Sequence, residues 1–114
     1  MHTNVSVEKS FKFSIRIVRL YQYLTMQKKE FVLAKQILRC GTSIGANISE
    51  AQYAQSKADF QSKMHIALKE ANETEYWLRL LHHTDYISDS QFESLHKDTD
   101  ELISILAAIC KNAK

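Results

Sequence analysis

Six basic side chains near the start of the chain have the type and spacing to hold a polyanion. Lys9, Lys12, Arg16 and Arg19 repeat at 3-4-3, which sets them in one row along a helix. A helix advances about 5.4 Å per turn, comparable to the spacing of phosphates along a nucleic-acid strand. Lys35 and Arg39 lie one turn apart and extend the patch if the two helices pack side by side. No exposed aromatic interleaves the row, so it suits backbone and shape recognition of structured RNA rather than base stacking. The alternative is a solvated helix face, or one neutralised by an acidic neighbour. The formal net charge is +2, yet residues 1–57 carry nine basic against three acidic side chains, and residues 58–114 carry six against ten. Such asymmetry marks either a nucleic-acid face or complementary surfaces on neighbouring subunits.

A second candidate group is polar. Ser43, Asn47 and Glu50 repeat at 4-3 along one side of a helix, and Glu70 and Glu73 sit together on the next, beside Ile66 and Trp77. This set is either a small ligand pocket or a buried hydrogen-bond network fixing helix register, with Arg39 as counter-charge. Polar groups among apolar ones must be paired, which favours the network.

Catalytic chemistry finds no such support. Di-iron bundles need two Glu-x-x-His motifs facing further glutamates, and this chain has one, Glu93-x-x-His96. His82 and His83 read as a helix-end pair, where partial positive charge suits the dipole. Cys40 and Cys110 sit in apolar helical patterns without C-x-x-C spacing or a visible base partner. They read as buried thiols in a reducing compartment, with a disulfide as the alternative. Phosphate-loop and nucleophile-elbow patterns are absent. The expectation is therefore no enzyme, no metal and no cofactor, and a cytoplasmic location; a metal-dependent enzyme ranks a distant third.

The elements that must position these residues are helices. With no proline and only Gly41 and Gly45 among 114 residues, the chain lacks the turn residues that sheets and loop-rich folds need. No apolar run approaches the roughly 18 residues of a membrane span. Phe13, Ile17, Leu20 and Leu24 predict a first helix from about Val7 to about Gln27, with Phe11, Ile15 and Val18 widening its apolar surface. Ala34, Ile37, Gly41, Ile44, Ile48 and Ala51 predict a second helix over about 31–55. Each glycine costs about 1 kcal/mol inside a helix, which points to close approach by another helix, or else to a kink. Phe60, Met64, Ala67, Ala71, Thr74, Leu78 and Leu81 hold heptad spacing in a third helix over about 57–84, capped by Ser56. Ser88 and Gln91 form a capping box for a fourth over about 89–112, with Phe92, Leu95, Thr99, Leu102, Leu106 and Ile109 facing inward. Short turns force antiparallel neighbours, so the fold is an all-α, up-down-up-down four-helix bundle in a single domain.

The segment from Ile37 to Ala51, with its Ser43-Ile44-Gly45-Ala46-Asn47-Ile48-Ser49-Glu50 core, resembles the signature of the bacterial four-helix-bundle family. That family is also called the ribosomal-RNA intervening-sequence proteins, after members encoded in insertions within large-subunit rRNA genes. The stretch from Ser56 to Phe60, and then from Ile66 to Leu78, is similar to its second signature. Many members have proline where Gly45 stands and glycine where Ala51 stands. The resemblance implies an up-down protomer assembled as a ring-like homopentamer, with no known enzymatic activity. It is also similar to an accessory protein of diversity-generating retroelements, whose basic surface engages nucleic acid and a reverse transcriptase. The combined expectation is a homo-oligomeric scaffold that binds structured RNA or another nucleic acid through its first-helix basic face. A protein–protein adaptor without nucleic-acid binding is the alternative.

Overall fold

Apolar residues at helical spacing determine which faces turn inward. In the third helix Met64, Ala67, Ala71, Thr74, Leu78 and Leu81 are all buried, as the heptad spacing predicts. In the second the same holds for Ala34, Ile37, Cys40, Gly41, Ile44, Ile48 and Ala51. The computed structural model describes residues 2–112, and the side chains of 5–111. Four helices run in the order α1 (His2–Met26), α2 (Val32–Ala51), α3 (Lys57–His83) and α4 (Asp89–Asn112), with no strand among the described residues. Each helix packs on the next and α4 returns to α1, giving an antiparallel bundle 43 × 20 × 19 Å in extent.

The ends depart from the sequence expectation in two places. The first helix starts at His2 rather than near Val7. Ser6 and Ser10, 0% and 1% exposed, continue the buried line of Phe13 and Ile17 toward the start of the chain. The second helix stops at Ala51 rather than near Gln55. Its inward seam ends there, and Tyr53 and Ala54 fold back onto the carbonyls of Glu50 and Ala51 at 3.0 and 3.2 Å. This frees Ser56 to cap α3, where its hydroxyl accepts from Asp59 N at 3.0 Å. Gln55 N donates to the Asp59 carboxylate, which holds that carboxyl below its ordinary value. The capping box of α4 is reciprocal: Gln91 N donates to Ser88 Oγ at 3.1 Å, and Ser88 N to Gln91 Oε1 at 2.8 Å.

Neither glycine serves a turn. The left-handed turn positions fall to Lys29 (φ 54°) and Asp85 (φ 67°), each at a cost of roughly 1–2 kcal/mol against the right-handed form. The glycines lie instead where α2 meets α1. A Cβ on Gly41 would stand 2.8 Å from both Cγ atoms of Ile17, and one on Gly45 would meet Ser14 Oγ at 3.1 Å and the Ser10 carbonyl oxygen at 3.2 Å. At Gly41 the Ile17 side chain fills the space a Cβ would need, and at Gly45 the α1 backbone lies within tight contact distance.

Two predictions follow from this packing. Gly41→Ala gains about 1 kcal/mol in helix propensity, but overpacking against Ile17 costs about 1–3 kcal/mol. The net expectation in urea denaturation is a loss, and Ile17→Ala costs less in that background than in wild type because it removes the colliding atoms; equal costs would place no tight contact at Gly41. Cys40, fully buried and accepting from Thr74 Oγ1 at 3.3 Å, has its thiol pushed by burial from 9.0 to about 11. The folded value lies above the unfolded one, so this contribution to stability is complete below pH 9 and is lost as pH rises toward 11. The urea midpoint should decline across that window, and decline less in Cys40→Ala.

Candidate nucleic-acid interface

The basic row of α1 divides into two lines. Lys9 and Arg16 lean toward α4, where Lys9 pairs with Glu101 at 3.1 Å and Arg16 with Asp98 at 2.7 Å. Arg16 also donates from Nη1 to the Ser94 carbonyl at 3.2 Å and from Nη2 to Ser94 Oγ at 2.8 Å. Lys12 and Arg19 face solvent one step around the helix and make no ion pair among the described residues; Arg19 donates to Gln22 Oε1 at 3.2 Å. Lys35 is likewise exposed on α2 without an ion pair. Arg39 points the other way, toward α3, between Glu70 at 3.6 Å and Glu73.

The sequence joined Lys35 and Arg39 to the α1 row on condition that the two helices pack side by side; they do, and the six cations serve three surfaces. Three of them, Lys9, Arg16 and Arg39, are ion-paired within the chain. Tyr23 continues the line of Arg19 by one turn, and its ring is half-buried with the Lys28 ammonium 5.9 Å from its centroid. The expectation was of no exposed aromatic interleaving the row; Phe11, between Lys9 and Lys12, is 67% exposed, while Tyr23 lies one turn beyond Arg19.

The polar set divides as well. Asn47 Nδ2 donates to the carbonyl of Ser43 at 2.9 Å and to its hydroxyl at 3.1 Å, a contact within α2 alone. Glu50 is exposed and reaches only Lys63, at 4.0 Å. Glu70 and Glu73 join Arg39 and Trp77 in a separate α2–α3 cluster. Trp77 Nε1 donates to Glu73 Oε2 at 3.0 Å. This bond, with Arg39 beyond it, outweighs burial and holds the Glu73 carboxyl below its ordinary value. Burial opposes the charge on Arg39, but Glu73 and Glu70 outweigh it and raise the guanidinium above its usual value.

The histidines join α3 to α4. His82 Nε2 meets Asp89 at 2.7 Å, and His96 lies between Glu75 at 3.1 Å and Asp100 at 3.4 Å. Phe92 stacks between the two imidazoles, 4.3 and 4.9 Å from their centroids. The Glu93-x-x-His96 motif thus has its histidine engaged by carboxylates of α3 and α4. Among the described residues no three His, Cys, Asp or Glu side chains are grouped to hold a metal ion. Cys40 and Cys110 are buried free thiols, and no described helix is long and apolar enough to cross a membrane.

Bundle, glycine-lined α1–α2 seam and basic outer line together define a class: small antiparallel four-helix proteins with a charged first helix. The chain belongs to the 23S rRNA-intervening sequence protein family, whose model matches residues 3–108. It is similar to a crystallised protein of unknown function from the S23 ribosomal protein family of Bacteroides thetaiotaomicron. The two are 58% identical over 97% of this chain and 99% of that one, with a TM-score of 0.95. No curated protein matches it.

The α1–α4 ion pairs are part-exposed, so each contributes about 0–1 kcal/mol. A double-mutant cycle of Arg16→Gln and Asp98→Asn should give a coupling of roughly 0.5 kcal/mol that shrinks toward zero in 1 M salt. A coupling unchanged by salt would mean that the direct Arg16–Asp98 hydrogen bond, rather than screened charge attraction, carries the pair.

Proposed function

We propose that this protein is a non-catalytic scaffold that assembles with copies of itself through the outer face of α1, and that its free α1 and α2 cations engage structured RNA or another polyanion. The observation carrying the assembly is the apolar strip on α1, with Phe11 67%, Ile15 46% and Val18 39% exposed. These side chains lie on the flank opposite the core, so no element of the same chain covers them. Beside them runs a groove of about 550 Å³ bounded by Val7, Ser10 and Ser14 of α1 and by Gly45, Ala46 and Ser49 of α2. Small residues on one wall and a projecting phenylalanine on the other suit a knob from one copy entering the groove of the next. Covering each large apolar side chain contributes about 1.5–3 kcal/mol, and family resemblance favours a pentameric ring. Two buried free thiols suit a reducing compartment such as the cytoplasm.

For the polyanion, the candidates are Lys12, Arg19 and Lys35, which among the described residues make no ion pair. A ring repeats them around its circumference and multiplies a modest patch. The protein-adaptor alternative uses the same strip for a different chain.

Light scattering on wild type and Phe11→Asp tests the assembly. Wild type should be oligomeric at micromolar concentration and the variant monomeric, with helical circular dichroism unchanged because Phe11 is outside the core. A monomeric wild type would move the adaptor reading to the front. For the polyanion, Lys12→Gln with Lys35→Gln should weaken binding of a structured RNA and lower its salt slope by about 2. An unchanged slope would make these lysines ordinary surface.

A further inference from the structure

At the end of the α1–α4 seam nearest the turn into α4 lies a cavity of about 310 Å³, which shares only Ile15 with the proposed assembly strip. Its floor is apolar, formed by Leu20 and Leu95, and the ring of Tyr23 lines one side. Ile15 adds a further apolar side chain, and Arg16, Arg19 and Gln91 make the polar rest of its lining. What these three polar residues have left to offer is one-sided. The Gln91 carbonyl oxygen already accepts from Ser88 N, which leaves its amide N–H groups. Arginine has donors only. Arg16 is held in place by Asp98 and Ser94, and Arg19 has a single hydrogen bond, to Gln22. No carboxylate lines the cavity. The first turn of α4, where Gln91 sits, adds the positive end of a helix dipole.

A rim of donors around an apolar floor excludes cations and neutral donors, and accepts an anion with an apolar body. The planar guanidinium fork matches phosphate oxygens. The volume is at the lower end of small-ligand sites, and an aromatic ring beside arginine is a stacking surface for a base. The Lys28 ammonium stands 5.9 Å from the Tyr23 ring centroid. We infer that this cavity binds a nucleotide: phosphate against Arg19 and Arg16, base over Leu20 and Leu95 beside Tyr23. The inference rests on the polyanion reading and deepens it by giving it a specific pocket. The nucleotide has two sources with the same chemistry, a free mononucleotide or an unpaired residue of an RNA strand.

Isothermal titration calorimetry on the full chain separates the outcomes. The probes are adenosine monophosphate, adenosine, inorganic phosphate and a single-stranded hexaribonucleotide. The variants are Arg19→Gln, exposed and outside the core, and Lys57→Gln as a remote cation. Adenosine monophosphate should saturate at one per chain, with adenosine and phosphate each binding far more weakly. Arg19→Gln should weaken the mononucleotide by roughly tenfold or more, and Lys57→Gln should leave it unchanged. A hexanucleotide that binds much more tightly than the mononucleotide, and also loses affinity in Arg19→Gln, assigns the source to RNA. Equal affinities assign it to the free nucleotide. Saturation by neither probe overturns the inference, as does equal weakening by the two substitutions. A long structured RNA that binds wild type and Arg19→Gln alike, while the mononucleotide fails, overturns the pocket and leaves the polyanion face standing.

Discussion

The approach of α1 to α2 governs much else in this bundle. Gly41 admits Ile17 to a depth that a methyl group would block, and Gly45 lets α2 rest on the Ser10 backbone. With the two axes this near, the positions of α1 that face inward at its start accommodate only small side chains, and Ser6 and Ser10 occupy them. The helix cannot rotate to bury Phe11 without withdrawing Ile17. The outer apolar strip is therefore a product of the same contact that seals the core: one face of α1 is fixed inward, and Phe11, Ile15 and Val18 on its outer flank stay exposed.

The charge asymmetry acquires a more local meaning. Much of the excess positive charge in the first half of the chain is opposed within the fold by carboxylates of the second half. Asp98 and Glu101 of α4 face the α1 row, and Glu70 and Glu73 of α3 face Arg39. Of the six candidate cations, Lys12 and Arg19 on α1 and Lys35 on α2 make no ion pair among the described residues, and neither do Lys28, Lys29 and Lys57 of the same half. A charge count over half a chain measures composition, whereas a binding surface depends on which charges lack an internal partner.

Helix number, order and inward faces were legible in the sequence because a 3.6-residue period is a local property. The heptad of α3 and both serine caps needed no tertiary information. The glycines were legible only as a choice between a kink and a close approach; Ile17 and Ser10, on a different helix, decide it. The early start of α1 was missed because serine at an inward position reads as polar until the neighbour's distance is known. Pairing was illegible for the same reason. Ser43, Asn47 and Glu50 share a helix side, but only the position of α3 separates the Asn47–Ser43 contact from the Lys63 partner of Glu50. Likewise nothing local announces that Arg16 and Tyr23 frame a cavity with Gln91, far along the chain.

The seam between α1 and α4 is the thinnest of the four, and its rim, like that between α2 and α3, is held by ion pairs. It also joins the two helices most distant in sequence, so closing it carries the largest loop entropy. Packing forces act only at contact, whereas charges attract across about a Debye length, roughly 8–10 Å in physiological salt. Helical hairpins built from neighbouring segments form from local contacts and form quickly. The last step, bringing the first helix to the fourth, is the one in which Lys9 and Arg16 sense Glu101 and Asp98 before any surfaces touch. These ion pairs add little to the final stability, and their reach is what would let them favour closure of this seam before its surfaces touch.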